Sequence, residues 1–377
     1  MPRPGPVRAT PRADEGPAAV DPAQVLAGSA GPGGLAGLNG GGRFARWLGL
    51  LVRLMRTKLV RFGFLAVVLV LLGLALYDEE GTLWHQVQRL TWPILVAAFV
   101  LCLCGLICSL MVWREVLADL GSRLSLAEAW RINFIGQLAK YIPGSIWPVL
   151  AQSELGADRG IPRSRSALSV LVCYAVMTIS GAVVAAITLP FARAASMAQY
   201  IWIIILVPVG IAALSPPVLN RVLRLVSRLA RQPALQQGVS YRGLARTMAW
   251  AVAGWCCNGL MIYVLLRQLG GHQRGTLLVS VGAYSLSWSI GFLAVFAPAG
   301  AGVREAVMIA VLHSETATRI AFTVALVSRA LSVVADAATG AAASALVGRR
   351  RLRQIRADRR LAADRPPPSD GPIAPGP

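Results

Sequence analysis

Five ionisable side chains stand inside or against long apolar runs: Lys140, Arg304, Glu305, Arg329 and Asp336. A charge at the centre of a bilayer costs roughly 2.5–3.5 kcal/mol on the insertion scale. Arg329 and Asp336 together cost about 5–7 kcal/mol, while the ten Val, Leu, Ile and Phe residues between Ile320 and Val347 return only about 3–6. Such a helix does not sit alone in lipid. With 3.6 residues per turn, Arg329, Ser332, Asp336 and Gly340 fall on one face, so the costly groups must look into a bundle. Two readings stand side by side: a structural ion pair between helices, or a site for a charged headgroup, since charges seven residues apart do not fully satisfy each other.

Lys140 lies in the segment AWRINFIGQLAKYIPGSIWPVL, residues 129–150, and is one of two lysines beside 35 arginines. Asn133, Gln137, Lys140 and Gly144 recur there at helical spacing, and Pro143-Gly144 and Pro148 interrupt the backbone. The expectation is a re-entrant or broken helix, in which Lys140 contacts a phosphate or snorkels to the interface. A second break is FAPAGAGVREAVMIAVL, residues 296–312, where Pro298, Gly300 and Gly302 precede Arg304 and Glu305. A helix start with an arginine beside it favours an anion. Interrupted segments in two halves of a transporter mark a binding site, so Pro143, Gly144, Pro298, Gly300 and Gly302 are read as a gate. A third stripe, Ser280, Tyr284, Ser287 and Gly291, suits either a polar lining or close helix packing.

The elements that must carry these residues follow from composition. The chain has 377 residues, 55% hydrophobic and 14% charged, against roughly 25% charged in a soluble domain. Apolar spans are predicted at 62–77, 92–112, 166–189, 200–215, 246–266, 276–297, 302–313 and 318–347. The fold class is therefore an all-α, polytopic membrane bundle of about eight transmembrane helices plus the broken Pro-Gly segment. Residues 1–42, rich in Pro, Gly and Ala, read as a disordered tail, 43–347 as the membrane domain, and 348–377 as a basic then Pro-rich tail.

The net charge of +20 is mostly an orientation signal. With both termini cytoplasmic, 25 basic residues fall inside and only Arg89, Arg193, Arg267 and Arg274 outside. Basic residues that flank spans on one side fit topology and anionic lipid, and nucleic acid is not an expected partner. The six cysteines lie within apolar runs and the three histidines are isolated, so no metal, disulfide framework or cofactor is expected.

NFIGQLAKYIPGSIW followed by RGIPRSRSALSVLV, with FAPAGAGVREAV and the later Arg329, resembles the flippase-like membrane family typified by the transmembrane domain of bacterial lysylphosphatidylglycerol synthetases. The similarity covers roughly residues 60–347. It implies a helical bundle with a lipid-accessible cavity that moves phospholipid or other lipid-linked headgroups between leaflets. Pro143, Gly144, Pro298, Gly300, Gly302, Arg304 and Glu305 match the family's signature positions. The chain departs from the pattern at Trp147-Pro148, where members often carry glycine, and at Tyr174-Ala175, where many carry an acid. With about thirty residues after the last span, no soluble aminoacyl-transferring domain is expected.

The leading expectation is a lipid translocator of the cell membrane without covalent chemistry. Lys140, Arg304 and Arg329 would accompany the lipid phosphate, and Glu305 and Asp336 would balance them or engage a cationic headgroup. One alternative is a polyprenyl-phosphate-dependent glycosyltransferase, motivated by Asp78-Glu79-Glu80 at the outer end of the first span. Another is a non-catalytic membrane partner of a cell-envelope glycosyltransferase or synthase.

Overall fold

The computed structural model describes residues 82–141, 146–191, 197–229, 237–271, 275–295, 297–313 and 315–363. The N-terminal tail, the span expected at 62–77, the Asp78-Glu79-Glu80 cluster and the break expected at Pro143-Gly144 lie outside the described residues. Among the described residues all regular structure is helical.

Helix α1 is the short Thr82–Gln88, and α2 is Trp92–Asp119, started by Pro93 in its first turn, where a missing N–H costs nothing. Next come α3, Leu126–Gln137, a 3₁₀ turn at Leu138–Tyr141, and α4, Trp147–Ala157. Then follow α5, Arg163–Thr188, α6, Met197–Leu214, α7, Pro216–Leu229, α8, Tyr241–Gln268, and α9, Thr276–Leu293. A 3₁₀ turn at Pro298–Gly300, α10, Val303–Leu312, and α11, Thr318–Ala363, complete the described chain. Among the described residues, five stretches are long and apolar enough to cross a membrane: Trp92–Asp119, Arg163–Phe191, Tyr241–Gln268, Thr276–Leu293 and Thr318–Ala345. A sixth is added if the bent pair Val207–Leu214 and Pro216–Leu229 counts as one span. The five answer the spans predicted at 92–112, 166–189, 246–266, 276–297 and 318–347, while the one predicted at 200–215 overlaps only the first arm of the bent pair. The stretch expected at 302–313 is a ten-residue helix, about 15 Å long, half of a hydrocarbon core.

The ends of the bundle are fixed by hydrogen bonds between distant residues. Asp119 at the end of α2 accepts from the backbone N–H of Ser240 at 2.6 Å and from its hydroxyl at 2.8 Å. At the opposite end, Gln268 donates to the carbonyl of Arg89 at 3.1 Å. Helices α2 and α8 are therefore antiparallel partners along their whole length. Small residues let them approach: a Cβ on Gly105 would collide with Asn258, and one on Gly254 would meet Cys108 at 3.2 Å. The two most deeply buried indoles are satisfied across helices, Trp113 by Ser169 at 3.1 Å and Trp255 by Ser180 at 3.0 Å.

The broken segment expected at 129–150 is a hairpin of two short helices. Ser125 and Glu128 close a capping box that starts α3. Glu128 also pairs with Arg159, just past the end of α4, at 2.6 Å. The chain thus returns to the end of the bundle from which it entered. Where the arms cross, Gly136 leaves room for Gln152. A check follows from this geometry. In a cysteine-free background, Arg123→Cys and Asp158→Cys are expected to react with a membrane-impermeant maleimide from the same side, and Arg89→Cys from the other. Labelling of Asp158→Cys together with Arg89→Cys would overturn the hairpin.

Helix α7 bends 59° from the apolar end of α6 and carries three stripes. Leu219, Leu223 and Ser227 are buried, Val218, Val222, Leu225 and Leu229 are exposed, and Arg221, Arg224 and Arg228 form an adjacent exposed row. An exposed apolar stripe beside an arginine row suits a helix lying in a membrane interface. Helix α11 runs past the expected span end to Ala363, because RRRLRQIRADRRLAA has good helix formers and no Gly or Pro.

Candidate functional site

The two interrupted segments meet. The 3₁₀ turn Leu138–Tyr141 packs against Pro298–Gly300 and against α11. Gly340 on α11 has no side chain where Leu138 sits, which lets the turn come close. Around this junction lies a cavity of about 170 Å³, whose walls include Lys140, Arg304, Arg329 and Asp336.

Arg329 and Asp336, seven residues apart on α11, do not pair with each other. Asp336, buried, accepts from Lys140 Nζ at 2.7 Å and from the Tyr141 hydroxyl at 2.6 Å. Arg329 Nε lies 3.3 Å from Glu305 Oε1. Glu305 has a second duty: its Oε2 accepts from Gly302 N at 2.6 Å and so holds the first turn of α10. Each break therefore sends one ionised side chain to α11, and each of the two α11 charges is answered.

Arg304 is different. Its guanidinium lies 4.6 Å over the Tyr284 ring, and among the described residues it forms no ion pair. Three cations thus face two carboxylates, leaving one positive charge in a site that apolar helices surround. A cation over a ring face is attracted by the ring quadrupole, but the ring supplies no compensating charge. A singly charged oxyanion would.

The backbone of the second break is shaped for closeness. Ala299 and Gly300 are both left-handed, with φ of 50° and 71°, and Gly302 has φ of 84°. Ala299 is a non-glycine residue there, a conformation that costs about 1–2 kcal/mol. A Cβ on Gly300 would sit 2.9 Å from the carbonyl oxygen of Gly291, and one on Gly291 would sit 3.1 Å from Arg304 Cβ. Nothing lies within 4 Å of a Cβ placed on Gly302. Gly300→Ala is therefore expected to lose about 2–3 kcal/mol and Gly302→Ala about 1. Thermal loss of the monodisperse detergent-solubilised protein reads the order, which reverses if the contact with Gly291 is immaterial.

The stripe Ser280, Tyr284, Ser287 and Gly291 splits in two. Ser280 and Ser287 donate to the carbonyls of Thr276 and Tyr284 on their own helix at 2.7 and 2.9 Å. Tyr284 and Gly291 face Arg304. Sequence reasoning missed Tyr141, the second donor to Asp336, and an aromatic wall. Tyr284, Trp288 and Phe292 recur every four residues on α9, and Trp255 of α8 packs on the first two with centroids at 6.3 and 5.4 Å. Trp288 and Phe292 stack at 5.4 Å, and Tyr174 of α5 lies 4.8 Å from Phe292. The four-residue spacing was a readable signal for that wall; nothing local marked Trp255 or Tyr174 as its partners.

Of the residues singled out by sequence, Lys140, Arg304, Glu305, Arg329 and Asp336 are brought together, and Gly300 and Gly302 shape the turn beside them. Pro298 opens that turn. Among the described residues, no group of three His, Cys, Asp or Glu side chains is arranged to hold a metal ion.

Apolar helices of membrane-crossing length, half-length helices at two breaks and buried charges between them define a polytopic all-α membrane protein. The chain belongs to the family described as the lysylphosphatidylglycerol synthase TM region, whose profile matches residues 59–340. Among curated proteins, none matches its sequence.

Proposed function

We propose that this protein translocates a phosphate-bearing lipid headgroup between the leaflets of the cell membrane, with the phosphate held at Arg304. The observation that carries this reading is the uneven charge of the cavity. Lys140–Asp336 and Arg329–Glu305 are each closed pairs, whereas Arg304 lies against Tyr284 and, among the described residues, forms no ion pair with a carboxylate. Ionisable residues among membrane helices are costly, and a surplus cation in such a place is best matched by a transient anion. A phosphodiester carries one negative charge and accepts the bidentate hydrogen bonds that a guanidinium offers.

The departures from the family pattern point the same way. Pro148 and Tyr174, two of the positions at which the resemblance departs from the family pattern, both line the cavity. On this side the wall is formed by Tyr174, Trp288 and Phe292 and carries no carboxylate, so it favours the phosphate itself over a cationic, aminoacylated headgroup. The two breaks would give way as the headgroup passes, with both termini on the cytoplasmic side, where the basic residues gather. Membrane lipid is then the partner that matters.

A phospholipid carrying a photoactivatable group next to its phosphate tests this reading. Crosslinks are expected in peptides bearing Tyr284 and Arg304. Crosslinks confined to the outward-facing apolar residues of α2 and α6 would overturn it.

A further inference from the structure

A second cavity, of about 530 Å³, lies at the end of the bundle where α2 stops and α8 begins. It shares no lining residue with the central one. Four arginines line it, Arg114 and Arg123 beside the end of α2 and Arg242 and Arg246 on the first two turns of α8, together with Glu115 and Asp119.

The two carboxylates do not neutralise the four arginines. Both oxygens of Asp119 are taken by the N–H and hydroxyl of Ser240, and Glu115 lies 3.9 Å from Arg114. Arg114 also donates through Nε to the Leu124 carbonyl at 3.1 Å. Arg123, Arg242 and Arg246 are exposed and, among the described residues, form no ion pair. The positive end of the α8 dipole adds to their field. A preference for basic residues on one side of a membrane explains why arginines occur at this end. It does not explain their convergence on one concave site from two separate segments.

The level of the site in the membrane is marked by its neighbours. It caps two helices long enough to span a bilayer, and Asn220 of α7 clamps the approach to α8 by bonding Val239 N at 2.8 Å and Val239 O at 2.9 Å. Helix α7 carries the exposed apolar stripe beside an arginine row, the pattern of a helix at headgroup depth.

We infer that this groove is a second phosphate site, separate from the translocation cavity, which takes the headgroup phosphate of an anionic lipid resting in the leaflet at that end. Arg123, Arg242 and Arg246 are its phosphate contacts. A phosphate held there would bridge the start of α8 to Leu120–Ser125, the loop that leads into the α3–α4 hairpin. The inference does not rest on the proposed translocation, because no residue is common to the two sites.

The test uses the full chain in detergent and two photoactivatable lipids, phosphatidylglycerol and phosphatidylcholine. Phosphatidylglycerol is expected to crosslink the peptide holding Arg242 and Arg246, at least about tenfold more than phosphatidylcholine. The variant R123Q/R242Q/R246Q should lower that crosslink by a similar factor while leaving crosslinks near Tyr284 unchanged. Helical circular dichroism confirms the variant's fold, which none of these three side chains holds together. Inorganic phosphate at millimolar concentration separates the sources. If it fails to compete, the site belongs to a lipid headgroup; if it competes fully, the same phosphate contacts serve a soluble phosphate compound. Equal crosslinking of the triple variant and the parent, or no preference for phosphatidylglycerol, overturns the inference.

Discussion

Replacing Arg304 by Gln is expected to weaken binding of a fluorescent phospholipid to the solubilised protein by about ten- to a hundredfold. The magnitude is that of a hydrogen-bonded contact to a charged group, about 1.5–3 kcal/mol. Gln can still donate to an oxygen, but it removes the positive charge that, among the described residues of the cavity, has no carboxylate in an ion pair with it. The variant should fold about as well as the parent, because the loss of its contacts with Tyr284 is offset by relief of a buried cation that has no ion pair among the described residues. Displacement of the bound probe measures the affinity. Unchanged displacement would show that the phosphate is held elsewhere.

The second large effect is expected at Asp336 and concerns stability first. Asp336 is 6% exposed and receives both Lys140 and Tyr141, so Asp336→Asn leaves the Lys140 ammonium without its counter-charge. Removing one partner of a fully buried ion pair costs roughly 3–5 kcal/mol. The Lys140 side chain is 30% exposed, which lowers the expectation to about 2–3 kcal/mol. The double variant K140M/D336L should recover much of that loss, since apolar groups of similar size often replace a buried pair without penalty. Heating of the three proteins in the same detergent reads this order. A double variant less stable than Asp336→Asn would mean that the pair does more than neutralise itself.

These two predictions separate roles that the sequence alone leaves merged. Arg329 and Asp336 are visible as costly charges on one helical face, and the helix must turn that face inward. Which groups answer them is not legible, because Lys140 and Glu305 arrive from segments 196 and 24 residues away through a packing of hairpins that no local pattern encodes. The Pro and Gly clusters announce two breaks. That the breaks touch depends on Gly340 opposite Leu138 and on Gly300 against Gly291, contacts known only once the helices are in place. Five of the spans, at 92–112, 166–189, 246–266, 276–297 and 318–347, were readable, since apolar length sets them directly. The short stretch before His313 was harder: its hydropathy resembles a span, but the Pro-Ala-Gly turn ahead of it folds the chain back on α9 and leaves ten residues of helix.

The charges also explain why the site tolerates its surroundings. Glu305 caps α10 with one oxygen and holds Arg329 with the other, so the helix that presents Arg304 is tied to α11 through the adjacent residue. Arg304 is positioned by neighbours already satisfied, and its own charge remains available. A headgroup phosphate entering the cavity need not break an existing pair.

Leaflet exchange of a headgroup-labelled phospholipid in proteoliposomes tests translocation at Arg304 most directly. The wild-type chain is expected to let an impermeant quencher reach label that began in the inner leaflet, at a rate well above that of protein-free vesicles. R304Q should bring that rate down by about tenfold or more, while R123Q/R242Q/R246Q continues to exchange. Exchange by R304Q at the wild-type rate, or none by the wild type above protein-free vesicles, would contradict the proposed function.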